Sequence, residues 1–117
     1  MKTVTKYIDC LEMNIEFIIG GCAQENHDII DQSDPHDIWF HISGMPSGHV
    51  ICKIPQEPQL NRKELQKIIK QGAVICKEYS VYKSNKNVEI DYTKIANVKK
   101  LDTPGMVYVN NVKKMII

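Results

Sequence analysis

The chain has 117 residues, 43% of them hydrophobic and 25% charged, a balance that excludes a disordered segment or a coiled coil and allows one domain, residues 1–117. No apolar stretch approaches the ~20 residues that a membrane-spanning helix needs. The net charge of +1 conceals an asymmetry: residues 1–50 carry two Lys against eight Asp and Glu, a balance of −6, and residues 51–117 carry thirteen Lys or Arg against six acids, a balance of +7.

Lys2 to Ile8 alternates and is rich in Thr, Val and Ile, which predicts a strand. Cys10 to Asn14 connects it to a second strand, Ile15 to Ile19, closed by Gly20-Gly21, and the two form a hairpin. Cys22 to Asp31 reads as a short helix with Ile29 and Ile30 facing inward. After a turn at Ser33-Asp34-Pro35, a strand over Asp37 to Ile42 sends Ile38, Phe40 and Ile42 to one face and Asp37, Trp39 and His41 to the other. A turn-rich loop, Ser43 to Gly48, leads to the strand His49 to Ile54. If these strands pair, Trp39, His41, His49, Ile51 and Lys53 share a face, and Val50, Cys52 and Ile54 join Phe40 in the core.

The clearest helix starts after Asn61, an N-cap with Glu64 at the capping-box position. Leu65, Ile68, Ile69, Gly72, Ala73 and Cys76 make its buried stripe, with Lys63, Lys67, Lys70 and Lys77 off it. A turn at residues 84–87 precedes the strand Val88 to Tyr92, and Thr103-Pro104-Gly105 marks another turn. Met106 to Val109 and Val112 to Ile117 flank Asn110-Asn111, which predicts a two-residue hairpin turn. The expected fold is α+β: a mostly antiparallel sheet of about six strands with one long and one short helix.

Cys10, Cys22, Cys52 and Cys76 match no paired spacing and read as free buried thiols. No apolar leader follows Met1, so the protein is expected in the cytoplasm. Of the basic residues, fourteen are Lys and one is Arg. Lys is a point charge suited to phosphate and lacks the fork that reads base edges.

The densest chemical cluster is Asp37, Trp39, His41 and His49. It can be a structural corner, a ligand-contacting surface or, with Asp37, His41 and His49 together, a metal-dependent nuclease centre. No closed zinc set is spelled out, so no metal and no cofactor are expected. Gly20-Gly21 between a strand and a helix reads as a plain turn before it reads as a phosphate loop. Lys83, Lys86, Lys94, Lys99, Lys100, Lys113 and Lys114 lie among Tyr79, Tyr82, Tyr92 and Tyr108, a composition that suits either a phosphate-tracking, base-stacking surface or a solvated face.

These residues occur in the order of a known pattern. Gly20 is followed by Ala23, Glu25 and Asn26, then Asp37-Ile38-Trp39-Phe40-His41, Gly48-His49-Val50, Asn87-Val88, Asp91-Tyr92-Thr93, Asn97-Val98-Lys99-Lys100 and Pro104-Gly105. From about Ile15 to Ile117 the chain resembles the NFACT-R domain of NEMF-type and RqcH-type ribosome quality-control proteins, in a short stand-alone form. It departs from the family at Gly21, Cys22 and Val81 and in the order Pro46-Ser47-Gly48-His49.

The resemblance implies a nucleic-acid-binding module without catalytic activity, acting on RNA in preference to DNA and partnered by the ribosome or tRNA. The expected binding residues are Trp39, His41, His49, Lys53, Lys83, Lys86, Lys99 and Lys100. A protein–protein adaptor with an exposed Trp39 face is the other non-catalytic reading. Oligomeric state is not encoded in any of these features.

Overall fold

A computed structural model describes residues 1–117. Strands β1 (Lys2–Ile8) and β2 (Met13–Ile19) form the expected hairpin, joined by a 3-10 turn at Asp9–Leu11 with Glu12 at φ 51°. Helix α1 (Ala23–Asp31) follows, then β3 (Ile38–Ile42), β4 (Val50–Cys52) and the long helix α2 (Arg62–Glu78). β5 (Glu89–Lys94), β6 (Val98–Lys100), β7 (Val107–Val109) and β8 (Lys113–Ile116) complete the chain. Six strands make one antiparallel sheet in the order β1-β2-β4-β3-β5-β8, and β6 and β7 make a separate small sheet. The fold is α+β, with one long and one short helix, as the residue pattern predicts.

The period-two alternation of the central strands builds two different interiors. Phe17, Ile38, Phe40, Ile42, Val50, Cys52 and Ile90 face α2, whose inner stripe contributes Ile68, Ile69, Ala73, Ile75 and Cys76. Gly72 of α2 lies against the ring of Phe40, where a Cβ would overlap it, so the helix can approach the sheet closely. α2 begins on the full capping box, with Glu64 N–H donating to Asn61 Oδ1 and Asn61 N–H to Glu64 Oε1, both at 2.9 Å. The opposite face carries Ile18, Trp39 and Ile51, covered by Ile29 and Ile30 of α1 and by Ile95, Val98, Val107 and Val109 around the small sheet.

Two expectations are corrected. Asn110-Asn111 does not join a hairpin, because β7 pairs with β6 and β8 pairs with β5. The chain changes sheets there, and Asn111 takes φ 52° at the corner. Thr93 Oγ1 donates to the carbonyls of Asn110 and Asn111 and accepts from Asn97 Nδ2, while Asn110 N–H donates to Asn97 O. These bonds fix Asn110 and Asn111 at the corner between the two sheets. Of the cysteines, only Cys52 and Cys76 are buried, and Cys10 and Cys22 are exposed. Burial pushes the Cys76 thiol up to about 12.

Candidate nucleic-acid interface

The face opposite α2 is incompletely covered. Beyond Trp39 a cavity of about 950 Å³ opens between β3, β4, the start of α1, the 43–48 loop and the turn before β7. Its floor follows from strand register. Trp39 pairs with Ile51 and Phe40 with Val50, so the next residues along, His41 and His49, come opposite each other. Their ring centroids are 5.2 Å apart and perpendicular. Trp39 stacks on His41 at 5.6 Å and 12°, and meets His49 edge-on at 5.3 Å.

His49 is held by its backbone. Its N–H donates to Asn26 Oδ1 and its carbonyl accepts from Gly20 N–H, both at 3.0 Å. A Cβ on Gly20 would overlap Asn26 Oδ1, and a Cβ on Gly48 would overlap the Gly20 carbonyl. The two glycines therefore serve close backbone approach. Gly21 N–H donates to Glu25 Oε1 at 2.8 Å, so the Gly20-Gly21 turn presents a carboxylate where a phosphate loop would present a free donor. His27 Nε2–H donates to Met106 O at 2.9 Å and ties α1 to the β6–β7 turn; the carbonyl only accepts, which sets the His27 tautomer.

The aromatic floor is polar, neutral and partly unpaired. Trp39 and His49 are each 2% exposed. Trp39 Nε1 and His49 Nδ1 are buried and have no hydrogen-bond partner. Burial, reinforced by His41 and His27, pushes His49 down to about 3. Burial also lowers His41, against the opposing pull of Asp91. Both imidazoles are thus neutral near pH 7.

The structure divides the eight residues named from sequence. Trp39, His41 and His49 assemble in the cavity. Lys53 does not join them: its ammonium lies 2.7 Å from Asp37 Oδ2 and 3.6 Å from Asp34 and also donates to Gln32 O. Lys100 pairs with Asp31 at 2.6 Å, and Lys99 is exposed on β6, in register with Tyr108. Lys83 and Lys86 are exposed in the segment after α2. Nor do the late tyrosines form one surface, because Tyr92 is in the core under α2 while Tyr108 is exposed on the small sheet.

Asp37 is fully occupied as a structural acceptor, taking bonds from Asp34 N–H, Ile54 N–H and Lys53 Nζ. A nuclease centre of Asp37, His41 and His49 does not assemble. Asp34, His36 and Asp37 do cluster, but the Lys53 ammonium already pairs with both carboxylates. An exposed Trp39 is corrected as well, since α1 and the small sheet bury it. Residue patterns had not pointed to Lys2 as a cavity wall, and had named Tyr79 only among the tyrosines of a basic surface and Asp91 only within the family pattern. Lys2 and Tyr79 are far apart in sequence and meet as a cation over a ring at 4.7 Å.

Residues 7–111 match the family profile described as the NFACT protein RNA binding domain. The chain belongs to this family. It is 35% identical over 89 residues to a coiled-coil domain-containing protein 25 homolog of Dictyostelium discoideum, covering 70% of this chain and 39% of that protein. It is 36% identical over 73 residues to the Rqc2 homolog RqcH of Bacillus subtilis, covering 61% of this chain and 12% of that one. The chain thus spans well under half the length of either relative. A solved structure of the C-terminal part of the fibronectin/fibrinogen-binding protein of Streptococcus suis superposes with a TM-score of 0.75 over 88% of this chain and 41% of that chain. At 17% identity that likeness is one of fold.

Within the NFACT-R pattern, several residues now have structural roles. Asp37 anchors the start of β3, Thr93 and Asn97 hold the sheet-switching corner, and Gly20, Asn26 and Gly48 seat His49. Trp39, His41, His49 and Asp91, with Ala23 and Pro104-Gly105, line the cavity.

Proposed function

We propose that this NFACT-R chain is a cytoplasmic RNA-binding module, associated with the ribosome or with tRNA, that holds RNA across the face opposite α2 and catalyses nothing. The observation that carries the reading is the match of residues 7–111 to a domain described as RNA binding, together with an open aromatic cavity on that face. Lys99 on the small sheet lies on this side, and Lys2, which reaches the cavity from the α2 side over the Tyr79 ring, adds a second phosphate contact. Neither His41 nor His49 is bonded through its side chain to a hydroxyl, thiol or carboxylate, the arrangement that an activated nucleophile would need. The resemblance to RqcH-type proteins supports the ribosomal partner.

The test is the salt dependence of RNA binding. Affinity for a structured RNA should fall linearly on a log–log plot against salt, by about 0.7–0.9 per phosphate neutralised. Lys99→Ala should weaken binding similarly for all sequences and lower the slope by about one. Affinity flat against salt, or unchanged by Lys99→Ala together with Lys2→Ala, would contradict the reading.

A further inference from the structure

The interior of the cavity is chemically unlike its surroundings. Trp39 and His49 line it, and in each a buried ring nitrogen lacks a partner. Such groups are unfavourable unless something supplies the missing bond. Trp39 Nε1–H can only donate, and the neutral His49 Nδ1 accepts in one tautomer and donates in the other. His41, half-buried, lies parallel to Trp39 and adds a further aromatic wall. An anion is a poor match for this interior, because Asp91 on the wall already holds the Lys114 ammonium at 2.7 Å and the imidazoles carry no charge. Of the two cations in the lining, the Met1 ammonium is held by Glu25, and Lys2 sits over Tyr79.

An uncharged planar ring with an acceptor next to a donor fits all of this. Every nucleobase presents that pair on its Watson–Crick edge. Resting on the RNA-binding reading above, we infer that the cavity receives one unpaired nucleobase, its Watson–Crick edge turned to Trp39 Nε1–H and His49 Nδ1 and its phosphate beside Lys2. Since all the bases share the acceptor–donor pair, the site selects unpaired over paired RNA and not one base over another. The lysines contribute sequence-independent affinity, and the cavity supplies the preference for single strands.

Trp39 is the sole tryptophan, so its fluorescence reports on this cavity alone. The full chain is titrated with a nucleoside, a short single-stranded RNA, the same RNA as a blunt duplex, the single strand with abasic positions, and inorganic phosphate. Binding is followed separately by anisotropy of end-labelled RNA. The nucleoside and the single strand should change Trp39 emission; the duplex should bind without changing it, and phosphate should do nothing. Removing the bases should weaken the single strand about tenfold to a hundredfold. Trp39→Phe, which keeps a ring and removes the donor, should weaken the single strand several-fold and leave the duplex unaffected.

Equal affinity for single strand, duplex and abasic strand, with unchanged emission, would overturn the base pocket and leave the RNA-binding reading standing. Failure of every RNA to bind would overturn the RNA-binding reading. A nucleoside that still moved Trp39 emission would then assign the cavity to free nucleosides, against the inference as stated.

Discussion

Phe40 and Trp39 are neighbours in β3 and point to opposite sides of one sheet, into interiors built for different ends. Under α2, Phe40 is one of 17 buried residues in a continuous apolar cluster, so tightly met that Gly72 has no room for a Cβ. On the other side, Trp39 belongs to a cluster of 6, beside a cavity floored by rings whose nitrogens are unpaired. Period-two alternation thus assigns stability to one face and leaves the other free to carry polar groups that a good core would exclude. The lesson is that a buried aromatic in a strand is not automatically a core residue; what matters is whether its polar atom is satisfied.

Four perturbations would sharpen or break this contrast. The largest effect is expected at Phe40, which is fully buried. Phe40→Ala should cost about 3–5 kcal/mol in urea denaturation, enough to unfold much of a marginally stable domain. A loss under about 1 kcal/mol would mean that α2 does not form the main core. Asp37 comes next, because its carboxylate is 1% exposed and receives the Lys53 ammonium and two backbone N–H groups. Asp37→Ala should cost about 2–4 kcal/mol without changing affinity per folded molecule. Lost affinity with unchanged stability would return Asp37 to the binding site.

Acidification probes the cavity face alone. The folded pKa of His49 is held down to about 3, whereas in the unfolded chain it lies near 6.5. Below that value the unfolded state binds the extra proton, so stability is full above about pH 6.5 and falls as the pH drops toward about 3. Between about pH 7 and pH 5 the loss attributable to His49 should be about 2 kcal/mol, and His49→Gln should remove that part of the slope. An unchanged slope in the variant would show that His49 is hydrated. The smallest effect is expected for Trp39→Phe. No bond is lost with Nε1, so the melting midpoint measured by calorimetry should correspond to a change under about 1 kcal/mol. A loss comparable to that of Phe40→Ala would make Trp39 an ordinary core residue.

Much of this was legible in the residues. The β1–β2 hairpin, the capped α2 and the opposite placement of Phe40 and Trp39 follow from local alternation, helical spacing and the Asn61–Glu64 pair. The facing histidines follow from β3–β4 register across a short loop. In the C-terminal third the strands near 89–94, 107–109 and 113–116 were legible but their pairing was not, because it is decided at a distance. Asn110-Asn111 has the chemistry of a hairpin turn, yet Thr93 and Asn97 use its carbonyls and amide to send the chain from one sheet to the other. Val98–Lys100 is too short and too basic to show as a strand alone. The lysines misled for a related reason: composition counts Lys53 and Lys100 as free cations, while Asp37 and Asp31 already hold them.

The claim that RNA is bound on the face opposite α2 is tested most directly by amide and indole chemical-shift mapping of the whole chain during titration with a short single-stranded RNA. The shifts should concentrate on the Trp39 indole N–H, Gly20, Gly48, His49 and Lys99, with the exposed side of α2 over residues 62–78 unmoved. Shifts concentrated on Lys63, Lys67 and Lys70 of α2, with the indole N–H unmoved, would contradict it.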